Sequence, residues 1–386
     1  MQLFDLNDDV LELIVWRAAR GGGCERTAAL LSVCQRFRGV LRGASARLPT
    51  RATLRSDATG APVLLADCAA VRTLRMHRGY RGACLTLPEH PALLGATSLA
   101  FDGAVAGEAE LRKLPALRSL AALSLGIVHS LAASSAQLLG ALPALTALTL
   151  AYSNVHDVGA ATQLRRLQVH GAELNSLERL TLLTHLSFNG PSVDATALTA
   201  LTELRELDAR SDDSSINDAH IAAVGRLRQL STLRLGGGIA SHASVRQLSS
   251  LTCLTALSLL SLHNRAGCDA LPRSLMALEI SSSFDDAGLA SVAALTQLTV
   301  LRLPMCNEVS DEGLSRLTQL RALARLQLHW WQGRITATGI DALAQLPALT
   351  TLTLAGGAAP PPGPQLGQRL RHGDLTLSSA WGAWLM

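Results

Sequence analysis

Aromatic side chains are scarce in this chain: Phe, Tyr and Trp make up 3% of its 386 residues. A core filled by large rings is therefore excluded. The 48% hydrophobic content rests instead on leucine and alanine, which suit many small equivalent sites. None of the seven cysteines (24, 34, 68, 84, 253, 268 and 306) is paired in a C-x-x-C, and no Cys/His series has zinc-ligand spacing. An odd, scattered set fits reduced thiols. No N-x-S/T sequon occurs, and no apolar run approaches the roughly 18–20 residues of a membrane helix. The start, MQLFDLNDDV, lacks the basic n-region of a secretory signal. These absences predict a cytoplasmic or nuclear protein that does not span a membrane. Long basic tracts are missing too: the net charge is +4 and the arginines are dispersed, so no nucleic-acid partner is expected. The glycine runs 21–23 and 236–238 lack the Lys-Ser/Thr of a phosphate loop, and neither HExxH nor GxSxG occurs. The chain is expected to be non-enzymatic, with no catalytic residues, no metal ligands and no cofactor.

What the chain has in abundance is one sentence rewritten. LPALTALTL at 142–150 returns as LPALTTLTL at 346–354, eight of nine letters unchanged. Aligned on the closing L-x-L, its first leucine recurs at Leu74, Leu99, Leu123, Leu148, Leu167, Leu186, Leu207, Leu233, Leu257, Leu278, Leu301, Leu326, Leu352 and Leu375, spacings of 19 to 26 residues. L-x-L alternates as a strand does, with both leucines on one face. Five units then read apolar, Ser/Thr/Asp/Asn, two residues, a small residue or His, apolar: VDATAL (193–198), INDAHI (216–221), FDDAGL (284–289), VSDEGL (309–314) and ITATGI (335–340). The polar second residue is placed to cap a helix. Each unit thus predicts strand, turn and short helix. It cannot bury its leucines alone, but a stack of such units can.

The period and the L-x-x-L-x-x-L-x-L grammar resemble the leucine-rich-repeat family. MCNEVSDEGL (305–314) resembles its cysteine-containing subtype, with Cys306 in the buried ladder. The resemblance implies an α/β solenoid, a curved parallel sheet inside and short helices outside. The expected organisation is a helical segment over 1–45, degenerate first repeats over 46–70, repeats over 71–357 and a C-terminal cap over 358–386, where AGGAAPPPGP breaks the pattern.

The first fifty residues follow no repeat. LNDDVLELI (6–14) and LLSVCQRFRGVL (30–41) each carry an apolar stripe at helical spacing, separated by three glycines. This hairpin resembles an F-box, with Asn7 where Pro is usual and Phe37 where Trp is usual. The resemblance implies docking to a Skp-type adaptor of a cullin–RING ubiquitin ligase through Leu6, Val10, Leu11, Ile14, Leu30, Val33, Cys34 and Phe37, with the repeats capturing a protein substrate. The alternative is a cap that only shields the first leucine layer. A GTPase-activating repeat protein is a third reading, weakened because 360–377 is not acidic.

On the expected inner face, the x of L-x-L and the residues after the pair are free to meet a partner. Tyr152, His170, Arg210, Arg234, Arg302, Met305, His329 and Trp330 are the candidates, since Trp, Tyr and Arg dominate interface energetics. Arg302, His329 and Trp330 are expected as neighbours on adjacent strands. Alternatively, Trp330 simply packs in the loop after its strand.

Overall fold

The computed structural model describes residues 51–55, 72–77, 93–102, 111–126, 135–151, 157–171, 174–189, 193–210, 216–236, 241–260, 268–281, 284–330, 334–356 and 362–378. Among these residues, fifteen strands form one parallel sheet in strict chain order. They are β1 (Arg51–Arg55), β2 (Thr73–His77), β3 (Ser98–Asp102), β4 (Ala122–Leu125), β5 (Ala147–Ala151), β6 (Arg166–His170), β7 (His185–Asn189) and β8 (Glu206–Arg210), then β9 (Thr232–Gly236), β10 (Ala256–Leu260), β11 (Ala277–Ser281), β12 (Val300–Leu303), β13 (Arg325–Trp330), β14 (Thr351–Gly356) and β15 (Thr376–Ser378). The first leucines lie in one register column, Leu301 beside Leu326 beside Leu352. The chain is a leucine-rich-repeat solenoid.

The register corrects one sequence alignment. Leu377, not Leu375, pairs with Leu352, so the last spacing is 25 residues. Leu375 is nevertheless buried, and Leu377 is 39% exposed at the end of the stack. The sheet also reaches beyond 71–357 at both ends: Ala52 and Leu54 of β1 align with Leu74 and Met76, and β15 lies within the segment expected as a cap.

All four leucines of the repeat grammar go inward. Leu320, Leu323, Leu326 and Leu328 are each at most 1% exposed, and their leucine counterparts from Leu117 to Leu354 are at most 5% exposed. One continuous core runs from Leu74 to Leu375. Burying a leucine side chain contributes roughly 1.5–3 kcal/mol, so repetition of this one contact stabilises the stack.

The outer side carries α1 (Ser135–Gly140), α2 (Ala195–Leu198), α3 (Asp218–Val224), α4 (His242–Val245), α5 (Asp286–Ala293), α6 (Asp311–Arg316), α7 (Ala337–Ala342) and α8 (Pro364–His372). In all five motif units the polar second residue is the N-cap: Asp194, Asn217, Asp285, Ser310 and Thr336 each accept a backbone N–H with the side chain. Unit length limits the form of the outer segment. Among the described residues, α-helices of six residues or more occur in units of 23 residues or more, though such units also carry the 3-10 helix Leu114–Ala116 and the four-residue α4. Where strands recur after 19 to 21 residues, the segment is a turn, a three-residue 3-10 helix such as Leu177–Arg179 or Cys268–Ala270, or the four-residue α2. Longer units have residues left over for the longer α-helices. Neighbouring strands sit about 4.8 Å apart and packed helices about 8–10 Å apart, so the strand side is the inner, shorter side of the curve.

Two polar ladders hold successive units in register. At the residue two before the first leucine, the hydroxyls of Thr97, Thr146, Thr184, Ser231, Thr255, Thr299 and Thr350 donate to the matching carbonyl of the preceding unit, at 2.9–3.3 Å. The same carbonyls accept two backbone N–H groups, as Met276 does from Thr299 and Val300. The second ladder lies at the helix starts. Asp286 accepts from Ser310, Asp311 from Thr336 and Asp218 from Ser241, always a residue at the first helical position bonded to the next unit's N-cap.

The last layer is closed by α8. Leu366 is fully buried, and the Arg369 guanidinium donates to the carbonyls of Ala344, Leu346 and Leu349 at 2.6–3.1 Å. Gly373, at φ +77°, ends the helix in the left-handed conformation that glycine adopts without a Cβ penalty.

Candidate functional site

Alternation along each strand turns every second residue away from the leucines. The inner face therefore consists of three columns: the residue before the first leucine, the x of L-x-L, and the residue after the second apolar position. Sequence reasoning found the last two. It missed the first, which includes His185, Glu206, Ala256, Ala277 and Arg325, because L-x-L does not show that the strand begins one residue earlier.

Charges concentrate from β8 to β12 in the x column, which reads Asp208, Arg234, Ser258, Glu279, Arg302 in spatial order. Asp208 accepts two hydrogen bonds from Arg210, at 2.7 and 2.9 Å, and this pairing holds the Arg210 proton more firmly than usual. Arg234 approaches the same carboxylate at only 3.7 Å. Ser258, 7% exposed, donates to Glu279 at 3.3 Å, and Arg302 stands 3.9 Å from that carboxylate. Beside the two arginines lies a shallow hollow of about 100 Å³, open to solvent and lined by Ala256, Ala277 and Ser258 among others. It exists because two alanines separate Thr232 from Val300 in the first column.

Beyond it, Cys306 is buried in the segment that follows β12. Its thiol donates to the carbonyl of His329 at 3.1 Å, and the Cys306 N–H donates to the same oxygen at 2.9 Å. Burial pushes the thiol pKa up to about 12, against the opposing effect of hydrogen bonding. Burial likewise lowers the His329 pKa.

The candidates fall into separate groups. Arg210 and Arg234 meet at Asp208, whereas Arg302 pairs with Glu279. Arg302 lies beside Gln327 in the register, and His329 is two residues further along β13, so the expected Arg302–His329 neighbourhood is one of adjacent strands but not of paired residues. His170 is half-buried at the end of β6, and Met305 is 42% exposed. Trp330 ends β13 opposite Gly356. Its side chain lies outside the described residues, as do Tyr152 and the eight adaptor-face candidates Leu6, Val10, Leu11, Ile14, Leu30, Val33, Cys34 and Phe37. Among the described residues, no group of His, Cys, Asp and Glu is placed to hold a metal ion, and no helix is long and apolar enough to cross a membrane.

No protein-family model and no curated protein matches the chain. Among solved structures it is similar to an internalin of Listeria monocytogenes, with 17% identity, 82% of this chain and 88% of that one covered, and a TM-score of 0.49. A leucine-rich-repeat protein of Leptospira interrogans shows 15% identity, coverage of 80% and 90%, and a TM-score of 0.44. Internalin C2 of L. monocytogenes shows 24% identity, coverage of 56% and 83%, and a TM-score of 0.40.

Proposed function

We propose that the chain is a non-catalytic protein-binding solenoid that grips its partner on the inner sheet face between β6 and β13. One observation carries this reading. The inner face holds register-aligned charged side chains, of which Arg234 and Arg302 make no hydrogen bond among the described residues, beside a shallow hollow lined by small residues. A face needed only for solubility has no reason to put arginines at both edges of a depression. Arginine is also the side chain whose planar donors best give directional recognition.

The finer reading makes it the substrate-recognition subunit of an SCF-type cullin–RING ubiquitin ligase, acting in the cytoplasm or nucleus. Its support is the F-box-like pattern at 6–14 and 30–41 alone. A leucine-rich-repeat scaffold without a ligase role is the competing reading.

Two experiments on the full chain test this. A photo-crosslinking residue at Gln327, on the inner face, is expected to trap a protein partner that one at Gln319, on the outer side, does not. Equal trapping removes the inner-face assignment. Binding to a purified Skp-type adaptor, lost in Leu11→Asp and Phe37→Ala, is expected of the ligase subunit. No adaptor binding by the unmodified chain leaves the scaffold.

A further inference from the structure

The hollow between Arg234 and Arg302 carries more than a generic binding surface. The acceptors around it are already engaged: Asp208 takes two hydrogen bonds from Arg210, and Glu279 takes one from Ser258. The donors are not. Arg234 and Arg302 make no hydrogen bond among the described residues, only ion pairs at 3.7 and 3.9 Å, and each remains about half exposed. A guanidinium has five N–H donors in a planar fork matched to a carboxylate. The site therefore offers two guanidinium groups without a hydrogen bond, separated in the x column by Ser258 and by the Glu279 carboxylate, which keeps lone pairs for a donor.

Their separation sets the shape of the occupant. Arg234 on β9 and Arg302 on β12 are three strands apart, about 14 Å at the usual strand spacing. An extended chain advances about 3.3 Å per residue, and its alternate side chains share a face, so residues i and i+4 lie about 13 Å apart on one side. Residue i+2 then faces Ser258 and the Glu279 carboxylate, which stand between the two arginines in the x column, while Ala256 and Ala277 leave room one column away.

We propose that this hollow binds an extended acidic segment of the partner protein. Two Asp or Glu residues four apart engage Arg234 and Arg302, and a small hydrogen-bond donor such as Ser between them sits over Ser258 and the Glu279 carboxylate. This rests on the inner face being the protein-binding surface and adds the chemistry of what it binds.

The test is selection of a random 12-residue peptide-display library against the full chain, and then fluorescence anisotropy of an enriched peptide. Peptides with two acidic residues four apart are expected. Binding should weaken with added salt, fall about tenfold or more when both glutamates become glutamine or in Arg234→Ala/Arg302→Ala, and recover in part in Arg234→Lys/Arg302→Lys. Both arginines are exposed, and an unchanged thermal melt confirms folding. Enriched peptides without the acidic pair, if they are still displaced by Ala277→Trp in the hollow, overturn the acidic-segment inference and leave the protein-binding face intact. Peptides indifferent to every one of these substitutions, or no enrichment at all, overturn both.

Discussion

The carboxylate of Asp311 accepts from the backbone N–H of Thr336 at 2.8 Å and from its hydroxyl at 2.5 Å, across 25 positions of sequence. One acidic residue at the start of a helix thus orders the start of the next. The same carboxylate fills the space where a side chain at Gly339 would stand. Asp286 relates to Gly313 in the same way. Where the earlier residue is Ala195, the later position holds a full histidine, His220, whose Nε2–H donates to the Val193 carbonyl at 2.7 Å. Where Asp218 faces Ser244, the serine hydroxyl donates to the carboxylate. The third residue of one motif thus dictates the size of the fifth residue in the next.

Asp311→Ala is expected to destabilise the chain by about 1–3 kcal/mol, since it removes two hydrogen bonds to a charged acceptor. Gly339→Ala is expected to destabilise it too, through collision with Asp311. The double variant should cost less than the sum of the two, because removing the carboxylate opens part of the space. Urea unfolding of the four proteins measures this. Strict additivity would contradict the packing.

Cys306 and Cys253 are expected to differ sharply toward alkylation. Cys253 is exposed, whereas Cys306 is fully buried with its pKa pushed up to about 12, and the thiolate is the reactive species. Mass spectrometry after iodoacetamide treatment at neutral pH should find Cys253 modified and Cys306 untouched until denaturant is added. Early labelling of Cys306 would show that the β12 end opens.

Stability should fall with acidification in two windows. Burial depresses the His329 pKa below 6.5, so the unfolded imidazole takes up a proton first. Its contribution is present above about pH 6.5 and is lost as the pH falls through the folded value. The Asp218 carboxyl is held below 3.8 by the Ser241 N–H and then the Ser244 hydroxyl. Its contribution is present above about pH 4 and is lost only at lower pH. Unfolding midpoints measured against pH should flatten in the upper window for His329→Gln and in the lower one for Asp218→Asn. A stability that rises on acidification through the upper window would contradict the sign.

Arg369→Ala should release the last turn of the solenoid, since three carbonyls lose a charged donor. A loss of about 1.5–3 kcal/mol is expected. It should appear in hydrogen exchange as faster opening of α7 and α8, with β6 to β9 unchanged. Uniform acceleration would mean that the helix does not act as a local cap.

Much of this fold was legible because leucine spacing is a direct image of strand spacing. Leu148, Leu326 and Leu352 were placed correctly, and so were the N-caps Ser310 and Thr336, whose side-chain chemistry is local. What escaped reading depends on contacts some 25 residues away. Nothing in L-T-x-L says that the threonine hydroxyl reaches back one unit, as Thr350 does to Ala324. Leu375 and Leu377 look alike in sequence, and only pairing with β14 separates them. The arginines were visible as inner-face residues. The hollow was not, because it is made by what Ala256 and Ala277 lack, in a column outside the L-x-L pair.

The most direct measurement concerns which side of the crescent holds the partner. The affinity of the partner trapped at Gln327 should be compared between Arg302→Glu, on the inner face, and Arg316→Glu, on the outer helix α6 beside Glu312. Inner-face binding predicts a loss of about tenfold or more for Arg302→Glu and no change for Arg316→Glu. The reverse pattern, or indifference to both, would contradict it.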